Sequence, residues 1–292
     1  MIRVAVTWLT VLLLSATAGA QPASELYLGK PRPTTVPQRV VSLAPNLTEI
    51  LFAIEAGDKI VGVTRYDDFP EEVKKLPKIG GFLDPSLEAI LALRPNLVVC
   101  VKNSGAKDRL EALARMGVPI LVLPAYRMKD IYTSIRVLGE VFHKTDVAQS
   151  LIQTMKTRVK RVEQKVKGLP KPAVLLVYGH RPVVAAGSDS FGDAMLSLAG
   201  GENVLKKTKI RYPMVPMEQV IHLKPQVIID ASASGTGAEM TQSELEKTWK
   251  TWKIVPAIKT GRLHFFDSAL WFRPGPRIVD GLEKLAEILH PE

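Results

Sequence analysis

The stretch Glu88-Ala89-Ile90-Leu91-Ala92-Leu93-Arg94-Pro95-Asn96-Leu97-Val98-Val99 reads as a short apolar-faced helix, a breaker and a buried strand. Proline cannot continue a helix, so the run from Leu97 must begin a new element. The same device returns 130 residues later (218 minus 88) as Glu218-Gln219-Val220-Ile221-His222-Leu223-Lys224-Pro225-Gln226-Val227-Ile228-Ile229. Glutamate, leucine, base and proline recur at the same offsets. Shared local physics of helix-to-strand turns and duplication of a whole lobe would each produce this recurrence.

Working outward, short apolar runs alternate with helix-like segments. Strands are expected at Val40–Ala44, Ile60–Thr64, Leu97–Val101 and Ile120–Leu123, with a helix around Asp108 to Met116. Asn46 and Glu49 have capping-box spacing ahead of the apolar run Ile50 to Ile54, and Gly57 is placed to end that helix. From about Asp146 to Lys167 the pattern becomes one long helix, with Val147, Leu151, Ile152, Met155, Val159, Val162 and Val166 at helical spacing. Gly168-Leu169-Pro170 stops it. Alternation then restarts with strands at Ala173–Tyr178, Val183–Ala186, Val227–Ala231 and Leu263–Phe266, and a helix over Arg277 to Leu289 closes the chain. This order predicts an α/β fold of two Rossmann-like lobes with parallel sheets, divided as residues 38–143, a connecting helix over 144–168, and residues 171–292.

The beginning of the chain, Met1-Ile2-Arg3 followed by the apolar Val4 to Leu14 and the small-residue segment Ala18-Gly19-Ala20, reads as a signal peptide over residues 1–20, cleaved after Ala20. Its apolar run is shorter than the ~20 residues of a spanning helix. No cysteine lies near the cleavage site to accept a lipid anchor, so a free periplasmic protein is expected. The only cysteine is Cys100, inside an apolar run, which excludes an internal disulfide. The net charge of +10 becomes +9 when Arg3 is removed, and the bases are spread along the chain apart from Lys156 to Lys167. That distribution, with no recognition motif, argues against a nucleic-acid partner and leaves room for an anionic ligand.

Read in order, several segments carry a specific resemblance. They are Ser42-Leu43-Ala44-Pro45-Asn46-Leu47-Thr48-Glu49, Val61-Gly62-Val63 with Tyr66-Asp67-Asp68-Phe69-Pro70, Leu76-Pro77-Lys78-Ile79-Gly80-Gly81, and Ala199-Gly200-Gly201-Glu202-Asn203-Val204. Together with Glu88 and Pro95 they resemble the periplasmic substrate-binding proteins of ABC importers that handle haem, ferric siderophores and cobalamin. The likeness is greatest to the cobalamin-binding members. It implies a ligand cleft between two lobes joined rigidly by one long helix, a small-molecule cargo, delivery to the importer's membrane subunits, and a monomer. It implies cobalamin as the bound ligand, with haem or a ferric siderophore as alternatives, and no catalytic cofactor or resident metal.

The loops after the strands should face that cleft. They hold Pro45, Asn46, Tyr66, Phe82, Tyr178, His180, Tyr212, Trp271, Phe272 and Arg273, a large share of the aromatics in a chain that is 6% aromatic. By the resemblance, Tyr66, Phe82, Tyr212, Trp271 and Phe272 stand where cobalamin-binding relatives make aromatic contacts. The bland reading is that aromatics near strand ends plug the lobe cores. Arg65, Arg181, Arg211 and Arg273 accompany them, as clamps for an anionic cargo or as solvated rim charges. Leu270, Arg273 and Pro274 depart from the cobalamin-binding pattern. Phe69 stands where haem-binding members carry an iron-ligating tyrosine, so the cargo remains open.

The resemblance also implies that Glu88 and Glu218 each present an acid to arginines of the membrane subunits. The bland reading is an acidic residue in the first turn of a helix, favourable on its own. Enzymes are disfavoured: there is no Gly-x-Ser-x-Gly elbow, His-Glu-x-x-His or phosphate-binding glycine loop, and adjacent Asp67 and Asp68 suit a loop. A dedicated zinc or manganese site is disfavoured too, because none of the five histidines, His143, His180, His222, His264 and His290, precedes residue 143.

Overall fold

The computed structural model describes residues 27–30, 33–102, 106–233, 240–266 and 273–291. The expected signal peptide, Trp271 and Phe272 lie outside the described residues.

The first lobe comprises β1 (Tyr27–Leu28), β2 (Val40–Ser42), α1 (Pro45–Ala53), β3 (Ile60–Val63), α2 (Leu87–Ala92), β4 (Leu97–Val101), α3 (Lys107–Arg115), β5 (Ile120–Leu123) and α4 (Met128–Val141). Its sheet has the order β1-β5-β4-β2-β3, and every pairing is parallel except β1 with β5. Alternate residues of each strand feed opposite faces. Val40, Leu97, Val99 and Leu121 meet Leu47 and Ile50 of α1 and Ile135 and Leu138 of α4. Val41, Val98, Cys100 and Ile120 meet Ile90 of α2 and Leu110 and Leu113 of α3.

Helix α5 (Thr145–Val166) follows directly, and Gly139 of α4 lets it start close by. A Cβ added at Gly139 would lie 2.5 Å from the Cβ of Ala148. The second lobe comprises β6 (Ala173–His180), β7 (Val183–Ala185), α6 (Phe191–Leu198), β8 (Glu202–Asn203), α7 (Met217–Leu223), β9 (Val227–Asp230), α8 (Gln242–Lys250), α9 (Pro256–Lys259), β10 (Leu263–Phe265) and α10 (Ile278–Leu289). Its sheet runs β10-β9-β6-β7, with β8 also on β6 and only β7 antiparallel. Met155, Val159, Val162 and Val166 of α5 belong to one continuous core that reaches Val40 and Leu121 in the first lobe and Val174 and Ile229 in the second. The connector is therefore packed into both lobes rather than strung between them.

The repeat seen in the sequence extends well past a local turn. Arg94 and Lys224 both adopt left-handed backbone, with φ of 45° and 47°, just before their prolines. One residue after each proline, an amide side chain clasps the first parallel strand of its lobe. The Asn96 side-chain oxygen accepts from the Arg39 backbone N–H at 3.0 Å while the Asn96 backbone N–H donates to the Arg39 carbonyl. Gln226 makes the same reciprocal pair with Ala173, its side-chain oxygen accepting at 2.9 Å. Strands β5-β4-β2 and β10-β9-β6 thus share order, direction and clasp, which supports two related lobes.

Two local expectations fail. Asn46 and Glu49 do not form a capping box: α1 begins at Pro45, and its cap, Ala44, offers no side-chain bond. Proline at the first helical position starts the helix two residues early, with the cap at Ala44 instead of Asn46. Asn46 and Glu49 turn instead toward the second lobe. Gly57 does not end α1 either, which closes at Ile54 with Glu55 left-handed.

Candidate functional site

The carboxyl ends of β2, β3, β4 and β5 open into a cleft of about 450 Å³ between the lobes. Its walls are Ala44, Pro45, Asn46, Tyr66, Phe82, Val101, Lys102, Ala125 and Tyr126 from the first lobe, with Tyr212, Arg273 and Pro274 from the second. This is the crevice outside the carboxyl edge of an open α/β sheet, where such folds hold ligands. Tyr66 and Phe82 are half-buried, and Tyr212 is 51% exposed. Three aromatic rings, those of the two tyrosines with a polar hydroxyl tip, thus line the opening.

Local bonding orients the walls. Asp67 is buried and accepts from the Thr64 amide at 2.9 Å and from its hydroxyl, which fixes the turn carrying Tyr66. Burial pushes the Asp67 carboxyl above its ordinary range, against the opposing hydrogen bonds of Thr48 and Thr64. The Tyr126 hydroxyl donates to the Lys102 carbonyl at 2.9 Å, tying together the loops after β4 and β5.

The floor of the cleft is a clasp between lobes. Arg273 donates to both carboxylate oxygens of Asp68 and, at 3.0 Å, to the Tyr66 carbonyl. These bonds hold the Asp68 carboxyl below the usual carboxylate range. Arg277 donates to both oxygens of the buried Glu49 at 3.0 and 2.6 Å, and its guanidinium lies 3.9 Å from the centre of the Phe69 ring. The Asn46 amide reaches the Pro274 carbonyl at 3.4 Å. Arg273 is both a wall of the cleft and a member of this clasp.

Of the residues singled out in the sequence, Pro45, Asn46, Tyr66, Phe82, Tyr212 and Arg273 come together here. Tyr178 stands behind Tyr212, with ring centres 5.6 Å apart edge to face, and its hydroxyl fills the space beside Gly192. His180 is elsewhere. Its ring packs edge to face on Trp249 at 5.2 Å, and Nε2 lies 3.9 Å from the buried Asp230. Burial lowers its pKa more than that carboxylate raises it. Lys102, Ala125 and Tyr126 were missed from the sequence. The rule applied to the other strands, that the loop after the carboxyl end lines the cleft, would have found all three.

Glu88 and Glu218 occupy the second position of α2 and α7, and both are exposed. The Glu88 carboxyl is held below its ordinary range by the backbone N–H of Glu88 itself and by the Ser86 hydroxyl, which donates at 3.0 Å. The two acids are therefore equivalent in local position as well as in sequence offset.

Residues 40–270 match the family model described as periplasmic binding protein. The chain is 30% identical to an uncharacterised ABC transporter substrate-binding lipoprotein of Bacillus subtilis strain 168, over 88% of this chain and 81% of that one. It is 29% identical to a vitamin B12-binding protein of Pectobacterium atrosepticum, over 97% and 94% of the two chains. A crystal structure of a periplasmic haem-binding protein from Pseudomonas aeruginosa superposes with a TM-score of 0.79 at 27% identity, covering 88% of this chain and 94% of that one.

Proposed function

This chain belongs to the periplasmic binding protein family, and on that premise we propose that it captures cobalamin between its lobes and delivers it, chemically unchanged, to the membrane subunits of an ABC importer. The observation that carries the reading is the aromatic cleft, where Tyr66, Phe82 and Tyr126 face Tyr212 across the lobes. Broad flat faces with a few polar tips suit a large planar macrocycle. In this reading Pro45, Asn46, Tyr66, Phe82, Tyr212 and Arg273 touch the ligand and Tyr178 backs Tyr212, while Trp271 and Phe272 are assigned to the ligand by the family resemblance alone. His180, packed on Trp249, is not among the residues that line the cleft.

Corrinoid is preferred over haem because Phe69, which stands where the haem-binding pattern has an iron-ligating tyrosine, is a phenyl ring engaged by Arg277. Haem or a ferric siderophore is the second reading, favoured by the hydroxyls of Tyr66 and Tyr212 and by Lys102 at the cleft. Glu88 and Glu218 dock the protein on the membrane subunits, one acid per lobe. The mature protein is a periplasmic monomer, freed by cleavage after Ala20.

The test is a titration of the purified mature protein with cyanocobalamin, hemin and a ferric siderophore, following each ligand's visible band and tryptophan fluorescence. Saturable binding of cyanocobalamin supports the first reading. Tight hemin binding without a corrinoid response replaces it with the second.

A further inference from the structure

At one edge of the cleft a single carboxylate is shared by arginines from opposite lobes. Arg127, the cap residue of α4 in the first lobe, donates to one oxygen of Asp189 at 3.3 Å. Arg211, in the loop before α7 in the second lobe, reaches the other oxygen at 3.5 Å. The Arg211 guanidinium also lies 5.8 Å from the centre of the Tyr126 ring, and Tyr126 lines the cleft. Lys102 lines it as well and has no ion-pair partner among the described residues. Two guanidinium groups, one from each lobe, therefore share the Asp189 carboxylate.

The backbone that carries each arginine is fixed. The backbone amides of Tyr126 and Arg127 donate to Asp130 at 2.9 Å, fixing the start of α4. The Arg211 loop lies directly on Gly187, whose amide donates to the Arg211 carbonyl at 2.9 Å. A Cβ at Gly187 would come within 1.9 Å of the Ile210 carbonyl, so only glycine permits that approach.

Asp189 itself is weakly held. Its contacts to the two arginines are longer than the 2.5–3.0 Å of the Arg158 and Arg277 pairs, and its side chain is 66% exposed. It also sits in left-handed backbone with φ of 59°. Exposed pairs of this kind contribute little to stability, so Asp189 exchanges readily for another anion.

We infer that Arg127 and Arg211 form a seat for an oxyanion of the cargo, a carboxylate or a phosphate, and that Asp189 fills the seat until the ligand arrives. Because the seat takes one guanidinium from each lobe, the ligand's anion ties the lobes together across the mouth while Glu49 and Asp68 tie them at the floor. The inference rests on the cleft being the ligand site and adds the charge that the cargo must carry.

The experiment uses ligand pairs that differ in the anionic arm: cyanocobalamin against dicyanocobinamide, which lacks the phosphate-bearing arm, and hemin against its dimethyl ester. Arg127→Ala or Arg211→Ala is expected to weaken the phosphate- or carboxylate-bearing member about tenfold, the loss of a charge-assisted hydrogen bond, and to leave the other unchanged. Asp189→Asn is expected to strengthen the anionic member only. The corrinoid pair responding identifies a phosphate source, and the haem pair a carboxylate source. Equal losses for both members of the responding pair, or none, would overturn the seat. If no ligand binds the wild-type protein, the corrinoid reading fails by itself, and the seat is read separately from the arginine Nε–Hε NMR signals of wild type and Asp189→Asn titrated with inorganic phosphate. Shifts of Arg127 and Arg211 that are larger in Asp189→Asn sustain it, and unmoved signals in both proteins reject it.

Discussion

Arg277 and Glu49, 228 residues apart in sequence, form a two-pronged pair across the lobes, with both carboxylate oxygens accepting, at 3.0 and 2.6 Å. The Glu49 side chain is only 2% exposed and also has Arg273 at 3.7 Å, so it is compensated by two arginines of the second lobe, with Arg277 the one that is hydrogen-bonded. Removing one member of a buried pair leaves the other uncompensated. Glu49→Ala is expected to cost about 3 kcal/mol in urea denaturation. Glu49→Leu combined with Arg277→Met should cost less than the sum of the single changes, because neither charge is then left alone.

A second expectation concerns pH. Burial lowers the His180 pKa, and burial with the nearby Arg262 lowers that of His264. Above the ordinary value near 6.5 both are neutral in folded and unfolded chains and contribute nothing. As pH falls below it, the unfolded chain takes up protons that the fold resists, so stability drops until the folded values are reached. Denaturation midpoints should therefore be lower at pH 5.5 than at 7.5, and His180→Gln should flatten the difference.

Cys100 is fully buried between Val98 and the α3 side of the sheet, and burial pushes its thiol up to about 12. The thiolate is the reactive form, so the native protein is expected to resist a disulfide-exchange reagent for hours at pH 8. Full labelling should follow at once in denaturant. Prompt native labelling would place this strand at the surface.

Glu88 and Glu218 are exposed and hold no structural ion pair among the described residues, so reversing them should leave the fold intact. Glu88→Lys with Glu218→Lys is expected to abolish stimulation of the importer's ATPase while ligand affinity stays unchanged. Undiminished stimulation would return both acids to a helix-start role.

Much of the fold was legible because its decisive features are local. Leucine, base and proline at 93–95 and 223–225 announce a helix end and a strand within a few residues, and the apolar stripe of α5 reads directly as a helix. What was misread depends on distant partners. Asn46 and Glu49 have a local capping pattern, yet Pro274 and Arg277, both 228 residues on, claim their side chains.

The site was partly legible for a related reason. Tyr178 and His180, two residues apart on β6, would share a face on a regular strand. The pairing with β7 shifts register between Val177 and Gly179, and the two rings enter different surroundings. Tyr212 and Tyr126 come from different lobes, and no pattern within either segment shows that they line one cleft.

Calorimetric titration of cyanocobalamin into the wild-type protein and into Tyr66→Ala, Phe82→Ala and Tyr212→Ala tests the central claim most directly. One corrinoid per chain is expected, with each truncation weakening binding about tenfold through lost aromatic contact and burial. No heat of binding in the wild type, or an affinity unchanged in all three variants, would contradict it.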